Sequence, residues 1–264
     1  MVPQILAATM MLSQAGAQAQ PAAPRPSFDA FEVATIRPIS PDEGKGRYIL
    51  MRGSDTFVEK DYNLKLLIAA AYDLNPREIS GGPSWTDSDH FDIVARTPGT
   101  VRPTHDEQMR MLRALLADRF KLSFHREQKV FSIYELEVDK GGVKMKPSAE
   151  AANTPPALIS TVYPDHVQMP ARNASMTDFV SLLQRAVLDR PVVDKTGLKG
   201  KFDFDLTWAP DTTQFGGALP VAPATASSPP LFTALREQLG LTLVATRGPA
   251  EALVIDHAEQ PSPN

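Results

Sequence analysis

Phe91-Asp92-Ile93-Val94-Ala95 and Phe202-Asp203-Phe204-Asp205-Leu206 both alternate apolar and polar side chains, and the elements around the first recur around the second. Such alternation predicts a strand with one face on a core. Before the first, Leu64, Leu67, Ile68, Ala71 and Tyr72 fall at i, i+3, i+4, i+7 and i+8, which predicts a helix ending before Asn75-Pro76. After it, Thr104-His105-Asp106-Glu107 reads as a capping box for a helix that turns Met109, Leu112, Leu115 and Leu116 inward. Two β-type runs follow, at 121–126 and 130–138. In the second half, Ser175-Met176-Thr177-Asp178 caps a helix, 190–198 makes a strand and turn, and Ser228-Pro229-Pro230 opens a last helix. Two more β-type runs, 241–246 and 252–257, finish it. Leu64 and Met176 lie 112 residues apart, Trp85 and Leu198 113, Phe91 and Phe202 111, and Leu122 and Leu241 119. The reading is an α+β fold of two similar α-β-β-α-β-β halves, with mostly antiparallel sheets and helices on one face. The first half is placed at 28–146 and the second at 175–264. Between them lies a Pro-rich crossover at 147–174, and residues 209–230 are expected to form a mobile loop. A strand at 28–36 and a hairpin within 47–60 precede the first helix.

Residues 1–19 carry no charged side chain, and their apolar stretch ends in Ala17-Gln18-Ala19, the small-x-small pattern of a signal-peptidase site. A linker with three prolines follows at 20–27. The expectation is an exported chain, periplasmic or extracellular. With 27 Lys+Arg against 31 Asp+Glu, the net charge of −4 argues against nucleic acid as a partner. No apolar run has the length of a membrane-spanning helix. The absence of cysteine excludes disulfides, thiolate catalysis and cysteine metal sites.

Several motifs invite a chemistry. Lys195-Thr196-Gly197 has the form of the strand motif of penicillin-binding proteins, but no Ser-x-x-Lys nucleophile accompanies it, and Gly197 suits a plain turn. Asp87-Ser88-Asp89-His90-Phe91-Asp92 gathers three carboxylates and an imidazole. It lacks the glycine and later ligands of a calcium loop, and alternation would turn Phe91 and Ile93 inward and His90 and Asp92 to water. His90, His105, His125, His166 and His257 show no zinc spacing, so no metal and no cofactor are expected. Asp256-His257 would need a serine that nothing marks. Arg110, Arg113, Arg119, Lys121, Arg126 and Lys129 form a locally basic stretch, read either as a solvated face or as a contact with an anionic envelope surface.

Gly81-Gly82-Pro83-Ser84-Trp85 is the preferred binding feature: two glycines admit a close partner, proline stiffens the turn, and tryptophan supplies a broad amphipathic surface. Trp208-Ala209-Pro210 lies in a related place, just past the second alternating strand. The competing reading has Trp85 plugging the core. The candidate binding residues are Gly81, Gly82, Pro83, Trp85, Lys195, Thr196 and Trp208, with no catalytic residue among them.

Phe31-Glu32-Val33-Ala34-Thr35-Ile36-Arg37-Pro38, Ile79-Ser80-Gly81-Gly82-Pro83-Ser84-Trp85, Phe91 to Ala95, Leu115-Leu116-Ala117-Asp118-Arg119-Phe120-Lys121-Leu122, Arg190-Pro191-Val192-Val193-Asp194-Lys195-Thr196-Gly197-Leu198 and Val254-Ile255-Asp256-His257 occur in that order. Together they resemble a secreted soil-bacterial family known only as domain of unknown function 3738. The resemblance implies an exported protein, usually of one domain, with relatives sometimes fused to membrane metallopeptidases that resemble β-lactam sensor-transducers. It brings no activity and no catalytic residues.

The sequence therefore reads as a non-catalytic binding or sensing module for a protein partner or a cell-envelope ligand. The alternative is an envelope-acting hydrolase using residues near Asp194, Lys195 and His257. Export predicts that N-terminal sequencing of secreted material begins at Gln20; retention of Met1 in an envelope fraction would exclude it.

Overall fold

A computed structural model describes residues 25–40, 46–151, 154–219, 223 and 227–261. The expected targeting segment, and the linker as far as residue 24, lie outside the described residues. The path opens with β1 (Val33–Ile39) and the hairpin β2 (Tyr48–Arg52) and β3 (Thr56–Asn63), followed by helix α1 (Leu64–Tyr72). The Asn63 side chain caps α1 by accepting the Leu66 N–H at 2.9 Å. A 3-10 turn, Pro76–Glu78, leads into β4 (Ile79–Gly81), the short helix α2 (Trp85–Ser88) and β5 (His90–Arg96). Helix α3 (His105–Arg119) starts at the Thr104–Glu107 capping box and is followed by β6 (Ser123–Val138).

The second half runs through β7 (Lys146–Pro147), β8 (Ala157–Leu158), β9 (Thr161–Val162) and β10 (Val167–Ser175). Helix α4 (Met176–Leu182) begins at a Ser175–Asp178 capping box and ends in a π-helical turn, Leu183–Val187. Then come β11 (Val192–Asp194), β12 (Lys201–Trp208), α5 (Leu231–Ala234) with a second π turn at Leu235–Leu239, and β13 (Leu241–His257).

These strands form three sheets. One lobe carries β1-β5-β3-β2, all antiparallel, and the other carries β7-β12-β10 with β8 and β9 along the far edge. Between them lies β11-β6-β13-β4, whose two long strands pair antiparallel from Leu241↔Val138 to His257↔Ser123. Each short strand joins the long strand of the other half in parallel: β4 pairs with β13, and β11 with β6. The repeat expected from the sequence is present as matched elements, but the two copies are interlaced. One core gathers Leu67, Ile68, Ile93, Leu112, Leu116 and Phe120 and is closed by Leu253 and Ile255 from the second half. The other gathers Phe179, Leu183, Phe204, Leu206, Trp208 and Leu235 and takes in Tyr134 and Leu136 from the first half.

Three expectations are corrected. The β-type runs 121–126 and 130–138 are one 16-residue strand, and 241–246 and 252–257 are one 17-residue strand. Their polar middles continue the strands as a two-stranded ribbon exposed to water. The crossover at 147–174 contains β8, β9 and most of β10, which is the counterpart of β3. Pro170, with no N–H to give, sits where β10 has no edge partner, between its pairings with β9 and β8. Part of the stretch 209–230 is folded rather than loose: Ala209 bridges Pro230, and Phe215 stacks on Trp208 at 6.3 Å.

The copies share one unusual backbone device. β3 slips register between Glu59 and Tyr62, with Asp61 at φ 63°; β10 slips between Ala171 and Ala174, with Asn173 at φ 53°. Asp and Asn tolerate this left-handed conformation better than other side chains do. Each bulge then feeds the residue that caps the following helix. Beyond the ribbon, the lobes meet at helix ends, where Asn75 Nδ2 donates to the Gln184 and Leu188 carbonyls at 2.6 and 3.0 Å.

Gly81 sits where β4 meets β13. It has φ 79°, and an added Cβ would lie 2.6 Å from the Ile255 carbonyl oxygen. Gly53 has φ 65° but nothing within 4 Å of its Cβ position. Gly81→Ala should therefore cost about 2–5 kcal/mol in urea unfolding, against about 1–2 kcal/mol for Gly53→Ala.

Candidate functional site

The expected turn residues, Gly81 to Pro83 and Lys195 to Thr196, fall at matching places in the two copies and far apart, but the two tryptophans do not match, since Trp85 precedes β5 whereas Trp208 ends β12. Gly81, Gly82 and Pro83 leave the C-terminal end of β4, while Lys195 and Thr196 leave the C-terminal end of β11. β4 pairs with β13 around Val254, and β11 pairs with β6 around Glu135, itself opposite Val244. Gly81 pairs with Ile255, opposite Phe124, and Asp194 pairs with Leu136, so at ~3.3 Å per residue the two turns are separated by roughly 40 Å of strand.

Trp85 begins α2 and is half-buried, stacked on Phe120 and edge-on to Phe91, each at 6.5 Å. The Gly81-Gly82 backbone comes close to Ile255 of the same chain. Thr196 closes its own turn: its N–H and Oγ1 both donate to Asp194 Oδ1, at 2.8 and 2.7 Å. Trp208 is 0% exposed and its indole donates to Gln214 Oε1 at 2.7 Å, so it has no surface left for a ligand.

The residues of the hydrolase alternative are also kept apart. Asp194 pairs with Leu136 and His257 with Ser123, on the order of 40 Å along β6. His257 bonds to Glu259 at 2.9 Å, and Asp256 bonds to His125 at 2.8 Å. Among the described residues no hydroxyl hydrogen-bonds to an imidazole, and no group of three or more His, Asp or Glu is placed to hold a metal ion.

The feature that does gather chemistry comes from the bulges. In the first lobe Asp92 is buried, not water-facing as alternation suggested. Its carboxylate takes Lys60 Nζ at 2.5 Å, Arg37 Nη2 at 3.3 Å and the Asp61 N–H at 3.3 Å. Burial alone would raise its pKa; Lys60, Arg37 and the Asp61 amide more than offset that and hold it below the usual carboxylate value. Asp203 holds the equivalent place in the second lobe and takes the Asn173 N–H at 2.8 Å. That backbone bond, with help from Ser148, lowers its pKa.

The two cations behave differently there. Arg172, the counterpart of Lys60, turns away to grip Asp205 through two bonds of 2.9 and 3.1 Å. Lys146 lies opposite Asp203 across β7 and β12, as Arg37 lies opposite Asp92 across β1 and β5. It makes no ion pair among the described residues. Lys144 reaches the carbonyls of Arg236 and Glu237 at 3.3 and 2.9 Å. The result is a recess of about 360 Å³ lined by Lys144, Lys146, Arg172, Asp203, Phe204, Asp205 and Gln238. The aspartate that its cations cover in one copy of the repeat borders an open recess in the other.

Two buried acids escaped the sequence reading. Glu59 lies in β3 with both carboxylate oxygens buried and unbonded; burial first, and the nearby charge of Asp92 second, push its pKa up to about 10. Glu78 accepts the Asn75 N–H at 2.7 Å, and burial pushes it up to about 7. Strand parity could have found Glu59, since it shares a face with Phe57, which is buried. A native state that holds Glu59 protonated binds more protons than the unfolded chain between about pH 4.5 and about pH 10, so stability falls as pH rises through that range. Glu59→Gln should remove much of that fall. Urea unfolding should show its advantage over the native protein growing with pH, to the order of a few kcal/mol.

The family described as "Protein of unknown function (DUF3738)" has a model that matches residues 65–258. No curated protein and no solved structure matches the chain.

Proposed function

For this member of the DUF3738 family, whose family description assigns no activity, we propose an exported, non-catalytic binding module that takes a small charged ligand in the second-lobe recess. One observation carries this reading. The Asp-and-two-cation cluster satisfied internally around Asp92 is opened around Asp203, leaving Lys146 free of an ion pair among the described residues. Charged groups held at a concave surface suit a ligand of complementary charge.

The lining sets the chemistry. Lys144, Lys146 and Arg172 attract a carboxylate or phosphate, while Asp203 and Asp205 attract an amine; Gln238 can bond either. Three cations against two carboxylates favour a zwitterionic ligand with a surplus of negative charge. Short cell-wall peptides belong to that class, and the uncharged segment ending in Ala17-Gln18-Ala19 supports a location where they occur.

Thermal unfolding against a panel of muropeptides, glycans and free amino acids tests the reading. A ligand present at 100 times its dissociation constant adds about 2.7 kcal/mol, a rise of roughly 2–4 °C. Lys146→Ala should weaken binding about tenfold, while Arg37→Ala, at the equivalent place in the closed cluster, should leave it unchanged. No shift with any zwitterionic compound, or equal losses in both variants, would refute it.

A further inference from the structure

The central ribbon has an edge that the fold leaves open. On β6 the Tyr134 N–H donates outward to the Pro191 carbonyl at 2.8 Å, and the Leu136 carbonyl accepts the Lys195 N–H at 2.8 Å. Backbone groups alternate sides along a strand, so Phe124, Arg126, Gln128, Val130 and Ser132 also point their N–H and C=O to that outer edge. None of these five pairs has a backbone partner among the described residues. The side chains leave access, with Val130 63% exposed.

The opposite edge of the ribbon differs. Pro249 stands opposite Val130 on β13 and so faces outward, where it offers no N–H. Proline at such a place discourages strand addition, and β6 has no such block.

From this edge we infer that the protein forms a two-fold homodimer in which β6 pairs antiparallel with β6 of a second copy, over residues 124–132. Two independent features select one register. The open stretch lies between the start of β6 at Ser123 and the first bond to β11 at Tyr134, and Gln128 is its midpoint. A two-fold axis at Gln128 also sets Glu127 of each copy opposite Lys129 of the other, twice. Centring on residue 127 would put glutamate against glutamate, and centring on residue 129 lysine against lysine. Cross-strand opposite charges stabilise a sheet, and like charges directly opposite destabilise it. Within one chain Lys129 already bonds to Glu127, so the dimer exchanges one internal ion pair in each copy, two in all, for two intermolecular ones. A self-complementary edge of this kind gives a closed dimer rather than a fibre. The partner is a second copy of this chain, and the dimer does not depend on the recess.

Analytical ultracentrifugation of the purified protein at micromolar concentration should give twice the monomer mass. Lys129→Glu alone and Glu127→Lys alone should each be monomeric, because each places like charges face to face. Mixed in equal amounts the two variants should form a heterodimer, and the double swap should restore the homodimer. Circular dichroism of each variant should match the native protein, since neither side chain lies in a core. A native protein that stays monomeric overturns the inference. So does a dimer that survives both single substitutions, which would place the contact elsewhere.

Discussion

Everything in this fold hangs on the antiparallel pairing of two long strands, Ser123–Val138 and Leu241–His257. A two-stranded ribbon by itself is marginal in water, so its stability must come from its ends. At one end Leu253 and Ile255 enter the first core; at the other Tyr134 and Leu136 join Leu241 and Leu243 in the second. The short strands Ile79–Gly81 and Val192–Asp194 lock the exchange by pairing with the long strand of the other half. Neither half owns a complete core.

The two copies keep the backbone and vary the side chains. Both retain the left-handed Asp or Asn in the bulge and the strand aspartate that accepts its amide: Asp61 with Asp92, Asn173 with Asp203. These bonds fix how the chain turns from strand into helix, a demand that holds in both lobes. The cations around the aspartate are under no such demand. Where Lys60 and Arg37 close on Asp92, the carboxylate is covered; where Arg172 prefers Asp205, a recess remains. One copy of a structural cluster is thus left open at the surface.

Much of this was legible where the signal is local. The helices beginning at Leu64, His105 and Met176 were readable because a cap and a 3.6-residue apolar stripe lie within one stretch. The alternating strands at Phe91 and Phe202 were equally plain. Glu127-Gln128-Lys129 and Arg247-Gly248-Pro249 looked like breaks because a ribbon bare on both faces has no apolar face to betray it. The strand from Val167 to Ser175 hid among prolines, although Val167, Met169 and Ala171 alternate inward. For the site, parity alone would have buried Trp208 with Phe202, Phe204 and Leu206. The opening of the second cluster was not legible: it depends on which carboxylate Arg172 chooses, and that choice exists only once Lys201–Trp208 and Val167–Ser175 are paired.

The interlacing also dictates the order in which the molecule can come together. The first core draws on residues from Ile36 to Leu122, yet waits for Leu253 and Ile255 to close it. Contacts of such long sequence separation carry a loop-closure cost before they return any stabilisation, and chains built on them fold slowly. During synthesis the first lobe emerges with apolar surface that nothing yet covers. Until the last long strand, Leu241–His257, is in place, neither core has all its walls.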